Sequence, residues 1–223
     1  KGVFKDITAS AKLKDVGEAR EARGAIWGDI DNDGYLDLYV AGIPGKLFIN
    51  NRDGTFRDIP IIDSGLYAPA GHGCVFGDMD NDGRLDLYIG KWENSAFPDS
   101  GNFKLFHNEM ANKNHYIKVL VKGVKDYQGQ RRNKNKGSDL SGVGAKVYVY
   151  KAGHCGDKKA LLGYRQIQAG GMFSSGPLIQ HFGLGQEKKV DIEVVYPTTG
   201  KTVKKTGVLC DQTITVTEPR GKE

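Results

Sequence analysis

The stretch GDIDNDGYLDLYV runs from Gly28 to Val40, and 49 residues later the chain repeats it as GDMDNDGRLDLYI, from Gly77 to Ile89. Each copy places four aspartates within nine residues: Asp29, Asp31, Asp33 and Asp37, then Asp78, Asp80, Asp82 and Asp86. Counted from the first aspartate, carboxylates fall at loop positions 1, 3, 5 and 9, with Gly34 or Gly83 at position 6. Alternate residues of a tightly curled loop turn their oxygens toward one centre, and the glycine allows a backbone turn that a Cβ would resist. Four carboxylates held so close repel one another even at moderate dielectric. A hard divalent cation that takes about six to eight oxygen ligands relieves that repulsion. Ca²⁺ fits better than Mg²⁺, which keeps a smaller octahedral shell rich in water. Position 7, Tyr35 or Arg84, offers a backbone carbonyl. The pattern predicts two Ca²⁺ sites.

Such a loop has two other readings. An EF-hand requires a bidentate glutamate at position 12 and a helix on each side. Position 12 here is Val40 or Ile89, and the flanks read as strands. A metal-free acidic turn held by aspartate side chains is the second reading, and the matching second copy argues against it.

The repeat extends beyond the loops. The first unit reads GAIWGDIDNDGYLDLYVAG then KLFINNRDGTFRDI; the second reads GCVFGDMDNDGRLDLYIGK then KLFHNEMANKNHYIKV. Each is strand, acidic loop, strand, spacer, strand. Leu36, Leu38 and Val40 alternate onto one face, as do Leu85, Leu87 and Ile89. Asp53-Gly54 signals a hairpin turn. A period of 40 to 50 residues with about four strands per unit suits propeller blades. Near ANKN, residues 111–114, the repeat stops. Beyond it, HYIKVLV, AKVYVY, LIQHFGL, KVDIEVVY and TITVT read as strands between Gly-rich turns. The only helical period is a weak one near the N-terminus, in ASAKLKDVGEAREA, which also reads as a loop. The expectation is an all-β chain of two domains, residues 1–112 and 113–223.

These residues carry two resemblances. The acidic loops resemble the calcium loops of FG-GAP/VCBS repeats, the blade units of integrin-type β-propellers. The C-terminal runs NHYIKVLVKG, GVGAKVYVY, QIQAGGMFSSGPLIQHFGLGQ, VDIEVVYPTTGK and DQTITV resemble, in that order, an ASPIC/UnbV domain. The pairing is similar to the architecture of the cartilage acidic protein family and its microbial relatives. The resemblance implies two integrin-like propeller-type repeats with a Ca²⁺ in each loop, then a small all-β domain. It also implies adhesion to a matrix or cell-surface partner. This chain differs in being net basic, at +5. It also carries two repeats where a closed propeller needs about four to eight blades.

The remaining signals are weaker. No apolar run is long enough to span a bilayer, so membrane insertion is not expected. The chain begins at Lys1 rather than Met and reads as a mature or excised fragment of a secreted protein, its signal peptide lying outside it. Three cysteines leave at most one bridge. Cys155 and Cys210 are the expected pair, and Cys74, at the start of an apolar strand, is expected to be a buried thiol. The basic stretch 125–137, with Lys125, Arg131, Arg132, Lys134 and Lys136, offers a contact for a polyanion, although a solvated hairpin loop is the plainer reading. It has one aromatic residue and no nucleic-acid module, so nucleic acid is not an expected partner. The loop 91–102, with Trp92, Phe97 and Asp99, is long enough to form a contact surface.

No G-x-S-x-G elbow surrounds Ser174 and Ser175. His72, His107, His115 and His154 show no metal spacing with one another, His154-Cys155 is a poor zinc signal, and His181 reads as a core or turn residue. No catalytic constellation is apparent. The expected function is an extracellular calcium-binding adhesion or interaction module whose partner is a matrix or cell-surface protein or a glycan. The competing reading is a lectin-like or polysaccharide-active protein that uses the 91–102 loop and the basic stretch.

Overall fold

The computed structural model describes residues 2–13, 20–43, 45–66, 71–91, 103–124, 137–138, 140–168, 170 and 178–220. Residues 92–102, the basic side chains Lys125, Arg131, Arg132, Lys134 and Lys136, and Ser174 and Ser175 lie outside the described residues. The chain divides into two compact units, one built on Lys1–Ile30 and Tyr35–Met110, the other on Asp31–Gly34, Ala111–Gly171 and Gly176–Glu223.

In the first unit, β1 (Arg20–Gly28), β2 (Asp37–Ile43), β3 (Lys46–Asn50) and β4 (Phe56–Ile59) form an antiparallel sheet in the order β1-β2-β3-β4. That up-and-down order is the order of a propeller blade. The β3–β4 hairpin closes at the predicted turn, where Gly54 takes a positive φ and Asp53 Oδ1 accepts from Thr55 N–H (2.8 Å). A single-turn helix, α1 (Ile61–Ser64), precedes the second sheet, β5 (Gly71–Gly77), β6 (Asp86–Lys91) and β7 (Phe103–Phe106), in the order β5-β6-β7.

The two sheets share one apolar core: Ile26, Tyr39, Ala41, Leu47 and Ile49 meet Cys74, Phe76, Leu87 and Ile89. Gly28 has a packing reason, since a Cβ there would stand 2.5 Å from the Phe76 ring. On the opposite face of the first sheet, Leu38, Val40 and Phe48 form a second cluster, against which Leu13 and Phe56 pack. Leu38 and Val40 thus share a face as the alternation requires. Tyr39 and Ala41, which a half-exposed strand would turn to water, are also buried. The central strand β2 is buried on both faces. In the second sheet the same register leaves Tyr88 40% exposed.

The second unit is a β-sandwich. One sheet runs β10-β9-β12-β13, from β9 (Lys146–Lys151), β10 (Leu161–Gln166), β12 (Lys189–Val195) and β13 (Thr202–Leu209). The other runs β11-β8-β14, from β8 (His115–Lys122), β11 (Ile179–Gly185) and β14 (Gln212–Thr217), with β14 parallel to β8. Inward residues of both sheets form one core: Ile117, Val119 and Val121 with Phe182 and Val216, facing Val147, Val149, Val190, Ile192 and Val194. Each such fully buried side chain contributes roughly 1.5–3 kcal/mol.

The expected disulfide does not form: Cys155 and Cys210 are separate thiols, and Cys74 is a buried thiol. β9 leads into the turn of Cys155 and β13 into that of Cys210, and the two strands flank β12 on opposite sides. Each cysteine is engaged elsewhere. Cys210 Sγ donates to Glu187 O (3.0 Å), and Cys155 N–H donates to Asp191 Oδ2 (3.1 Å). Burial, then the carboxylates of Asp211 and Glu187, push the Cys210 thiol up to about 11.

Candidate metal centres

Both acidic stretches are β-hairpin loops. The first joins β1 to β2 and closes at the pair Gly28–Asp37; the second joins β5 to β6 and closes at Gly77–Asp86. Strands on both sides rule out the helix-flanked EF-hand geometry. Two residues in each loop take left-handed backbone angles: Asn32 (φ 58°) and Gly34 (φ 95°), then Asn81 (φ 63°) and Gly83 (φ 89°). The glycines were expected. The asparagines at position 4 serve the same end, since asparagine tolerates this region better than most side chains.

The carboxylates do not all act alike. Asp29, Asp31 and Asp33 bring one oxygen each within 4.8 Å of one another, and so do Asp78, Asp80 and Asp86. Asp37 stands outside the first of these groups. It is buried, its Oδ2 accepting from Ile30 N–H (3.0 Å) and its Oδ1 from Asn50 N–H (2.9 Å). Asp86 is its counterpart, accepting from Met79 N–H (3.0 Å) and Asn108 N–H (2.9 Å). The position-9 aspartates therefore tie each loop to the third strand of its own sheet.

The asparagines complete this tie. Asn50 Nδ2 donates to Leu36 O (3.0 Å), and Asn108 Nδ2 donates to Leu85 O (3.1 Å) and Ile30 O (2.8 Å). Sequence reading missed Asn50 and Asn108, although the repeat carries the signal: KLFIN and KLFHN end on the same asparagine. The first loop is also held along its backbone. Within the second unit, Asn114 Nδ2 donates to Asp31 O (2.9 Å) and Gly185 N–H to Asn32 O (2.8 Å).

At position 7 the loops diverge. Tyr35 lies with its ring 5.8 Å from the Arg52 guanidinium. Arg84 donates through Nε to Asn108 O (2.6 Å) and pairs through Nη2 with Asp82 Oδ2. His107 is the other surprise. Its Nε2 lies 3.0 Å from Asp80 Oδ2 and 3.6 Å from Asp82 Oδ2. The hydrogen bond to Asp80 raises the His107 pKa against some desolvation. Asp80 is held below the usual carboxylate range: partial burial opposes ionisation, and the Asp82 N–H and His107 outweigh it. Beside this loop a cleft of about 610 Å³, lined by Leu47, Ile49, Phe76, Leu87, Phe106 and His107, opens in the first unit.

The donor sets are what a hard cation needs. Three carboxylates converge in each loop, and oxygen is the only donor type in Asp29, Asp31 and Asp33. These acidic clusters could hold a metal ion. Together, the repeated hairpins with acidic loops and the sandwich that follows define an all-β class of repeat-plus-domain proteins. The model of the FG-GAP-like repeat matches residues 29–89, and that of ASPIC and UnbV matches residues 135–223. The chain is an FG-GAP-like repeat region followed by an ASPIC/UnbV domain. No curated protein matches the chain.

Proposed function

We propose that the chain is an extracellular, calcium-dependent interaction module in which Ca²⁺ is structural. The observation that carries this reading is a converging set of three carboxylates in each of two hairpin loops that share one aspartate spacing. Asp29, Asp31 and Asp33, with the Tyr35 carbonyl, would hold one ion. Asp78, Asp80, Asp82 and Asp86, with the Arg84 carbonyl, would hold the other. The ion would neutralise the carboxylates and cross-link residues of a loop that Asp37 or Asp86 already ties to its sheet. Loops of this kind in extracellular modules bind at roughly 10⁻⁴–10⁻³ M, a range that keeps them occupied outside cells. The role is binding rather than catalysis, and the partner is a matrix or cell-surface protein or a glycan.

Titration calorimetry with Ca²⁺ on EDTA-stripped protein tests the ion. Uptake that Asp29→Asn with Asp31→Asn reduces at the first loop, and Asp78→Asn with Asp80→Asn at the second, supports the reading. No uptake at either loop sinks it. Capture of matrix proteins and glycans in Ca²⁺ and in EDTA then tests the module. A partner that is retained only in Ca²⁺ is the expected result.

A further inference from the structure

The carboxylates of the second loop are met by donors from Arg84 and His107. Asp80 Oδ1 accepts from Asp82 N–H (3.2 Å), and Asp80 Oδ2 lies 3.0 Å from His107 Nε2. Asp82 Oδ1 accepts from Arg84 N–H (2.8 Å), and Asp82 Oδ2 meets the Arg84 guanidinium. Both oxygens of Asp86 are taken by backbone N–H groups, and Asp78 Oδ2 accepts from Gly83 N–H (3.0 Å). A carboxylate oxygen facing a ring nitrogen accepts, so His107 Nε2 carries its hydrogen toward Asp80 whatever the charge on the ring. These donors are fixed from outside the loop. Asn108, the residue after His107, is anchored by its hydrogen bonds to Asp86, Leu85 and Ile30, and its own carbonyl receives Arg84 Nε.

We propose that Arg84 and His107 are affinity-setting residues of the second loop. They keep it folded without an ion and weaken its grip on a cation, which must displace them from Asp82 and Asp80. This rests on the calcium reading above. The repeat itself supplies the control, because the first unit has Tyr35 and Ile49 at the matching positions. Neither carries a charge.

The experiment is Ca²⁺ calorimetry in an Asp31→Asn, Asp33→Asn background, which leaves the second loop to be read. Arg84→Met and His107→Ile, singly and together, are compared with that parent, and all are melted in EDTA. The double variant should bind Ca²⁺ about tenfold tighter or more, the scale of losing a unit charge at a partly solvated site. It should also melt lower than the parent in EDTA. Unchanged Ca²⁺ affinity with an unchanged EDTA melt would overturn the proposal. So would weaker binding in His107→Ile, which would make the imidazole a ligand; a Mn²⁺ or Zn²⁺ titration losing its signal in that variant would say the same. Absence of Ca²⁺ uptake by the unmutated protein would instead strike the calcium reading, while the EDTA melts still decide whether Arg84 and His107 hold the loop.

Discussion

Asp33 and Asp37 are four residues apart in one loop and have opposite tasks. Asp37 is 1% exposed and holds two backbone N–H groups, that of Ile30 buried and that of Asn50 partly buried. Asp33 is partly exposed and belongs to the converging set. Removing the Asp37 carboxylate strands one buried and one partly buried donor, at up to roughly 1–3 kcal/mol each. Asp37→Ala is therefore expected to lose about 2–4 kcal/mol of stability even in EDTA. Asp33→Ala should lose Ca²⁺ affinity and little of its metal-free stability. Urea unfolding in EDTA beside a Ca²⁺ titration checks both; equal losses in EDTA would mean that the two aspartates are not divided this way. The DxDxDGxxD spacing made both residues legible as ligands, but spacing cannot tell a ligand from a tie. That distinction depends on where β3 and β7 bring Asn50 and Asn108, residues 13 and 22 positions downstream of the aspartates they meet. The cysteines carry a second expectation at this scale. All three thiols should react with a chromogenic disulfide reagent in denaturant without prior reduction. Fewer would mean that Cys155 and Cys210 are bridged after all.

Among the elements, the sandwich is secured at its turns by two buried carboxylates. Asp191 on β12 accepts from Gly153 (2.9 Å) and Cys155 (3.1 Å) with Oδ2, and from Gly207, in the β13 bulge, with Oδ1 (2.8 Å). Glu218, just past β14, accepts from Ser138 N–H (2.6 Å) and Thr199 Oγ1 (2.5 Å). Burial alone would raise its pKa, but the Thr199 and Ser138 hydrogen bonds outweigh it and hold the group below its ordinary 4.5. A carboxyl with a lowered folded pKa binds fewer protons when folded. Its stabilisation is complete above its unfolded value and is lost as pH falls through the folded one. The stability gap between the parent and Glu218→Gln should be widest near neutral pH and should close below about 4.5. Urea midpoints measured from pH 7 to pH 3 read this directly; a gap that stays constant would exclude the ionised carboxylate as the source. Neither staple is visible in the sequence, because each meets partners from several turns. The strands they support were unevenly legible. β8, β9, β11, β12 and β14 follow apolar runs, whereas β13 reads TVKKTGVL and β10 reads LLGYRQ. The side chains of β13 are largely exposed and those of β10 half so, which leaves their hydrophobic period weak.

For the whole chain, the repeat announced two like sheets, and the structure makes their surroundings unlike. β2 in the first is buried on both faces, whereas its counterpart β6 in the second keeps Tyr88 exposed; no periodicity within one strand could report that. What the repeat does fix is the cost of emptying the loops. An ion that binds only the folded chain with a dissociation constant near 10⁻⁴–10⁻³ M adds about 1.4–2.7 kcal/mol at ~10 mM by mass action. For a chain of 223 residues, each occupied loop should raise the melting temperature by about 3–10 °C. Asp29→Asn with Asp31→Asn should remove the share of the first loop, and Asp78→Asn with Asp80→Asn that of the second. Mg²⁺ at the same concentration should give less than half the shift, because its small octahedral shell gives up water reluctantly and cannot use so many carboxylates at once. Melting curves in EDTA, Ca²⁺ and Mg²⁺ at constant ionic strength separate the outcomes. An equal shift with both ions would mean that any divalent charge relieves the carboxylate repulsion. The loops would then be acidic turns that respond to screening, without selecting calcium.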